Sequence, residues 1–319
     1  MVHAMLQAKL TRHPHGITAI DADYIRPGLA ASHLIEHAGR AAFVDVGTNH
    51  SVPRLLAGLA ELGVAADAVD WVLLTHVHLD HAGGAGTLLR ELPNARAVIH
   101  PRGAPHMADP AKLIAASIAV YGEARYRELY GDLVPIPRER IHVMQDAERL
   151  SLAGRELLLI DTPGHALHHY SILDEGYRNV FTGDTLGLSY RELDTQAGAF
   201  VVPTTTPTQF DPEQLIASID RLLGYAPEAA YLMHYSRVTG LERIGASLKT
   251  QIRGLAALAR RHAHALDRES AIRAEMRIEW IGLARRHGLA PARVDEILGK
   301  DLDLNAQGLV AWLDRTARR

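Results

Sequence analysis

From Ile17 to about Tyr235 the chain alternates short apolar runs with turns of Gly, Pro and Asp, which is the pattern of strands with a few helices between them. HLIEHAGRAAFVDVG reads as two strands about a turn at Gly39, the second ending at Asp45. Leu55, Leu56, Leu59 and Leu62 then fall on one helical stripe, with Pro53 near its start and Gly63 as its stop. Residues 71–74 form a buried-strand pattern, GAGTLLREL opens a helix, and residues 95–100 make the next strand. This β-α-β-α-β order predicts helices packed on a sheet. Residues 111–130 read as one helix whose bulky positions are Tyr121, Tyr126 and Tyr130.

Strands resume in RIHVM, RELLLIDTP, HHYSILD and NVFTGD, with Glu175 and Gly176 in a hairpin turn. DPEQLIASIDRLLG is a helix capped by Asp211, with Pro212 at its first position and Leu215, Ile219, Leu222 and Leu223 on a shared face. AAYLMHY reads as the last strand. Beyond Ser236 the strand pattern stops and the rest is helical, rich in Ala, Leu and Arg, so a boundary falls between 236 and 246 and the chain divides into residues 1–240 and 241–319. LARRHGLAPARVDEILG has the helix-Gly-helix outline of a DNA-reading turn, but its interleaved Arg and Glu read as a solvated face.

Composition narrows the chemistry. The 319 residues suffice for a full core, and the 47% hydrophobic and 22% charged fractions are those of a globular protein. With 34 basic against 37 acidic residues, nothing favours nucleic acid or anionic membrane as partner. No signal-peptide core and no apolar run long enough to cross a bilayer are visible, so a cytoplasmic protein is expected. The chain has no Cys, which removes disulfides, thiolate metal sites and a cysteine nucleophile. A metal here needs nitrogen and oxygen ligands.

Such ligands are concentrated in LLTHVHLDHAGGAG. In an extended segment His76 and His78 point to the same side and converge on one atom, Asp80 and His81 follow where the chain bends, and Gly83, Gly84 and Gly86 let the backbone pass close by. Four candidate ligands exceed the three that a catalytic zinc takes from protein, which implies a second ion. Other ligand types stand at later strand ends: His165 in PGH, Asp184 in TGD and His234 in LMHY. The count then works as His76, His78 and His165 for one ion, Asp80, His81 and His234 for the other, and Asp184 bridging them. His100, His106, His142, His168 and His169 read as sheet or surface histidines.

The string T-H-V-H-L-D-H, followed in order by P-G-H, T-G-D and a late strand-end His, resembles the metallo-β-lactamase superfamily of hydrolases over roughly residues 17–236. The resemblance implies an α+β fold, a four-layer αβ/βα sandwich with two metals at one edge of its sheets, here followed by a helical C-terminal segment. It also matches Asp45 in FVDVG to an early aspartate that supports the metal loop from behind. The late His departs from the family's Gly-flanked turn, since Met233 and Tyr235 flank His234.

Two divalent ions, Zn2+ foremost with Mn2+ or Fe2+ as alternatives, would hold a hydroxide at neutral pH, and Asp80 would orient it or take a proton. The overall plan resembles hydroxyacylglutathione hydrolases (glyoxalase II) and related thioesterases. The leading reading is therefore a metal-dependent hydrolase of a small-molecule thioester or ester, with Tyr190, Arg191, Tyr235 and Arg237 placed to grip the substrate. A clear glutathione-binding basic set is not recognisable. Lactonase, phosphodiesterase, mononuclear-iron sulfur dioxygenase and non-enzymatic binder are the alternatives in that order. The apolar stripes of the C-terminal helices either pair two subunits in a homodimer or cap their own domain.

Overall fold

The computed structural model describes residues 7–206 and 208–318. Its first sheet opens with an antiparallel meander, β1 (Leu10–His13), β2 (Ile17–Asp21), β3 (Ala31–His37) and β4 (Arg40–Val44). Helix α1 (Val52–Leu62) crosses over to β5 (Val69–Leu73), which lies parallel to β4. Two short helices, α2 (Leu79–Ala82) and α3 (Ala85–Glu91), lead to β6 (Arg96–Ile99), and α4 (Ala104–Ala108), α5 (Ala111–Tyr121) and α6 (Glu123–Tyr130) lead to β7 (Ile141–Val143). The seven strands stand in sequence order, and β4 to β7 are mutually parallel.

The second sheet contains β8 (Arg149–Leu152), β9 (Arg155–Asp161), β10 (Tyr170–Asp174) and β11 (Asn179–Gly183), all antiparallel. After α7 (Pro212–Gly224), strands β12 (Ala229–Leu232) and β13 (Ser236–Thr239) extend it in the order β13-β12-β11-β10-β9-β8. Helices α8 (Leu241–Arg261), α9 (Arg268–Arg286) and α10 (Ala292–Ala317) follow. The fold is an α+β sandwich of two sheets with helices, as expected from the sequence.

Two compact units divide the described residues. In the unit that holds the sheets, Ile20, Leu34, Phe43 and Val72 share a core with Leu55 and Leu59 of α1 and Leu88 of α3. This is why the leucine stripe of α1 is legible: it faces a sheet whose strand positions are apolar. The other unit contains the long C-terminal helices. Ile272, Met276, Trp280 and Ala284 recur every fourth residue as the buried stripe of α9. Outside that stripe, the partly exposed pairs Arg268–Asp314, Arg273–Asp303 and Arg277–Asp295 link α9 with α10. No described helix is long and apolar enough to cross a membrane.

Three elements differ from the sequence reading. Residues 111–130 form two helices rather than one, because Gly122 takes a φ of 76° and ends α5 before α6 begins. Strand pairing continues past Ser236 as β13, whose four residues with two buried positions make too short an alternation to stand out. Strand β1 had no apolar signature since it is a sheet edge with its central Thr11 and Arg12 exposed.

Two interactions in the sheet unit have measurable consequences. The Arg155 guanidinium on β9 lies 2.6 Å from Asp174 on β10, and their side chains are only 2% and 0% exposed. Truncating one partner strands the other charge, so Arg155→Ala should cost about 3–5 kcal/mol of stability, read from urea unfolding; a loss below about 1 kcal/mol would contradict the burial argument. His33 on β3 has its pKa lowered to about 3, first by burial and then by the charge of His13. The folded chain thus keeps His33 neutral while the unfolded chain protonates it below about pH 6.5. Its contribution is complete above that value and is lost as pH falls toward 3, at about 1.4 kcal/mol per pH unit. Stability measured between neutral and acid pH should fall less steeply for His33→Gln than for the unsubstituted protein.

Candidate metal centre

The centre begins with a carboxylate. Asp45 follows β4 in the left-handed region, φ 51°, a conformation that Asp tolerates better than most residues. Its N–H donates to Leu73 O at 2.9 Å, which holds it against the end of β5. Its carboxylate accepts from the Thr75 N–H at 2.9 Å, from Thr75 Oγ1 at 2.8 Å and from His81 Nδ1 at 2.9 Å. One buried aspartate therefore fixes both ends of the segment between β5 and α2.

That network also settles which ring nitrogens face the centre. His81 donates its Nδ1 hydrogen to Asp45, so Nε2 is the lone-pair nitrogen. Thr75 Oγ1, whose own hydrogen goes to Asp45, accepts from His76 Nδ1 at 3.2 Å. His234 Nδ1 donates to Leu29 O at 2.9 Å and His165 Nδ1 to Thr204 O at 3.5 Å. In each case the second nitrogen is set to act as a ligand. Thr75, Leu29 and Thr204 went unnoticed in the sequence; for the two carbonyls no side-chain signal exists, whereas Thr75 stood in plain view inside T-H-V-H.

The glycines that follow allow close backbone approach. A Cβ on Gly86 would sit 1.9 Å from Val134 O, so only glycine fits where α3 starts beside that loop. Gly84 N–H donates to Gly47 O at 2.9 Å, which closes the turn behind the histidines.

Side chains named from the sequence meet in three groups whose ligand atoms all lie within 4.8 Å of one another: His76, His78 and His165; His76, His81 and Asp184; and Asp80, His81 and His234. Between the first two groups His165 Nε2 is 3.3 Å from Asp184 Oδ2, and within the third Asp80 Oδ2 is 3.4 Å from His234 Nε2 and 3.9 Å from His81 Nε2. Two ligands of one zinc lie roughly 3–4 Å apart when each bond is about 2 Å, so these spacings suit a shared cation. Imidazole and carboxylate without sulfur suit Zn, Mn or Fe. His76, His81 and His165 are buried, whereas His78 and Asp80 are partly exposed, the Asp80 side chain by 23%. Solvent reaches the centre beside these two.

Other histidines sort by their partners. His100 pairs with Asp161 at 3.1 Å and His142 with Glu148 at 2.7 Å. His168 and His169 are both buried: His169 stacks on His76 at 4.9 Å between ring centroids, and His168 Nδ1 accepts the Val77 N–H at 3.4 Å. They support the ligand loop without entering any of the three groups. Of the residues assigned to substrate, Tyr190 is buried and donates its hydroxyl to Asp301 at 3.1 Å, and Arg191 is folded onto Ser189 O and Asp194. Tyr235 is buried, and Arg237 lies near enough to the Tyr231 hydroxyl for its charge to act on it.

Comparison with known proteins places this geometry. Residues 25–234 match the family model of the metallo-beta-lactamase superfamily. The chain is 26% identical over 224 residues to the metallo-beta-lactamase fold-containing protein ST1585 of Sulfurisphaera tokodaii, covering 69% of this chain and 77% of that one. It is 30% identical over 203 residues to the hydroxyacylglutathione hydrolase of Xanthomonas axonopodis pv. citri, covering 64% and 59%. The chain thus spans little more than half the length of that hydrolase. Among solved structures, ST1585 superposes with a TM-score of 0.66 at 22% identity over 93% of this chain and 99% of that one. The metallo-beta-lactamase family protein TTHA1429 of Thermus thermophilus superposes with 0.63 at 19% over 99% and 95%.

If the Asp45 network sets the imidazole nitrogens, Asp45→Asn should weaken metal binding about 10- to 100-fold, measured by competition with a chromophoric chelator, and Thr75→Val should weaken it in the same direction. Unchanged affinity in a folded Asp45→Asn protein would show that the ligands need no such support.

Proposed function

The chain belongs to the metallo-beta-lactamase superfamily, and on that premise we propose that it is a dinuclear metal-dependent hydrolase of a small-molecule thioester or ester. The observation that carries the reading is the convergence of seven side chains from distant strand ends into three overlapping donor groups. His76, His78 and His165 would hold one ion, Asp80, His81 and His234 the other, and Asp184 would face both. When bound, such ions supply Lewis acidity toward a carbonyl oxygen and lower the pKa of a water from 15.7 to about 7. Zinc is the ion that this sulfur-free donor set suits first.

The protein's own contribution follows from exposure. Asp80 combines a place among the ligand groups with access to solvent, so its carboxylate can accept a proton from an attacking water and pass it to the leaving group. His78, half-buried beside it, marks the side from which substrate arrives. The buried His76, His81 and His165 exclude water from the far side and keep charge interactions strong there. Similarity to hydroxyacylglutathione hydrolases supports an acyl-transfer reaction to water. Tyr190 and Arg191 already have protein partners, so substrate grip is assigned here to the groups around Asp80 and not to them.

Turnover should be measured for acyl-thioesters, esters, lactones and bis-nitrophenyl phosphate with zinc- and manganese-loaded protein. Thioester or ester hydrolysis is expected to dominate and to fall about 10²- to 10⁴-fold in Asp80→Asn with the fold retained. Phosphodiester cleavage as the faster reaction, or activity indifferent to Asp80→Asn and His76→Ala alike, would overturn the assignment.

A further inference from the structure

Far along the chain from the ligand loop, the C-terminal helices carry a cavity of about 120 Å³. Three pieces of backbone wall it: residues 199–201, the first turns of α8 and the last turn of α9. Arg243 and Ser247 stand four residues apart on α8 and so share one face, while Arg286 closes α9. Phe200, Ile244 and Leu283 supply an apolar side.

Two of the arginines on these helices line the cavity together. Arg261, Arg268, Arg273, Arg277 and Arg293 each face a carboxylate. Among the described residues Arg243 and Arg286 form no ion pair, as is also true of the exposed Arg253 and Arg285, but Arg243 and Arg286 border one cavity whose lining contains no Asp or Glu, with their side chains open to solvent. Asp194, whose carboxyl is raised first by burial and is near enough to feel His287, is paired with Arg191 at 3.2 Å. Two like charges thus line one small space with no anion from the protein between them.

Its walls are also tied in place. His287 Nε2 donates to Gly198 O at 3.0 Å, and Thr195 Oγ1 donates to His287 O at 2.9 Å, fixing the end of α9 to the loop before Phe200. Gln251 Nε2 donates both to Val201 O at 3.0 Å and to Ser247 Oγ at 3.2 Å, fixing the same loop to α8. A cavity held by its own hydrogen bonds needs little reorganisation to accept a ligand.

We propose that this cavity binds a small organic carboxylate, its anionic end between Arg243 and Arg286 with Ser247 as hydroxyl donor and its apolar end against Phe200, Ile244 and Leu283. Guanidinium groups match the planar carboxylate fork, and the apolar wall distinguishes an organic acid from an inorganic anion. The volume suits a small ligand: a closed apolar cavity of about 150 Å³ holds benzene, and this one, open to solvent on one side, takes a ring or short chain of similar size. The site is independent of the metal chemistry proposed above.

Isothermal titration of the full-length, metal-loaded protein with benzoate tests this, with benzamide as the uncharged counterpart and inorganic phosphate as the anion without an apolar part. Benzoate should saturate with millimolar or tighter affinity, phosphate should bind more weakly and benzamide should not bind. Arg243→Gln and Arg286→Gln should each weaken benzoate at least tenfold without changing the fold seen by circular dichroism, while His76→Ala should leave it within about twofold. Carboxylates also bind metal ions, so benzoate affinity that is lost in His76→Ala and kept in both arginine variants would overturn the proposal. Failure of benzoate to saturate, or phosphate binding as tight as benzoate, would do the same.

Discussion

The candidate metal centre depends on one buried carboxylate. Asp45 is almost completely shielded from water, a costly place for a charge unless hydrogen bonds surround it. It receives a backbone N–H, a hydroxyl and an imidazole N–H, all from the segment that carries the ligands. The cost of burial and the order of the ligand loop are therefore coupled: the carboxylate is satisfied only when Thr75 and His81 are in place. A rigid arrangement results from groups that never face the centre themselves.

The same logic explains why ligands gather where strands stop. Inside a strand, backbone N–H and C=O groups pair with neighbours and side chains alternate between faces. At a strand end the chain turns, carbonyls such as Leu29 O and Thr204 O become available, and each can orient one imidazole. His76 follows β5, His165 follows β9, Asp184 directly follows β11 and His234 follows β12. The sheets thus fix positions, and the loops supply donors and acceptors that set protonation.

Much of this was legible because ligand chemistry constrains residue type and spacing together. T-H-V-H-L-D-H leaves few other uses for so many imidazoles in one turn, and the later PGH, TGD and LMHY stretches each place one ligand type at a strand end. Helix α1 was equally plain, since its leucines meet a sheet along a single face. What escaped was set by partners distant in sequence. His169 looks like any strand histidine until it stacks on His76, and Tyr190 looks exposed until Asp301, more than a hundred residues on, takes its hydroxyl. Gly122 interrupts an otherwise continuous helical pattern, and a lone glycine within such a pattern does not by itself announce a break.

Burial of the ligands links metal binding to folding. His76, His81 and His165 are fully buried and Asp184 nearly so, which places several polar side chains in a medium where each is stable only with a partner. In the unfolded chain the same groups are hydrated and scattered, so an ion held by them would favour the folded state by mass action, by about 4.1 kcal/mol when its concentration is a thousandfold above its dissociation constant. Proton competition sharpens the dependence, because imidazoles must be neutral to bind. The candidate centre is in this respect also a structural element, and the Asp45 network that orients its imidazoles ties any such stabilisation to the order of the loop.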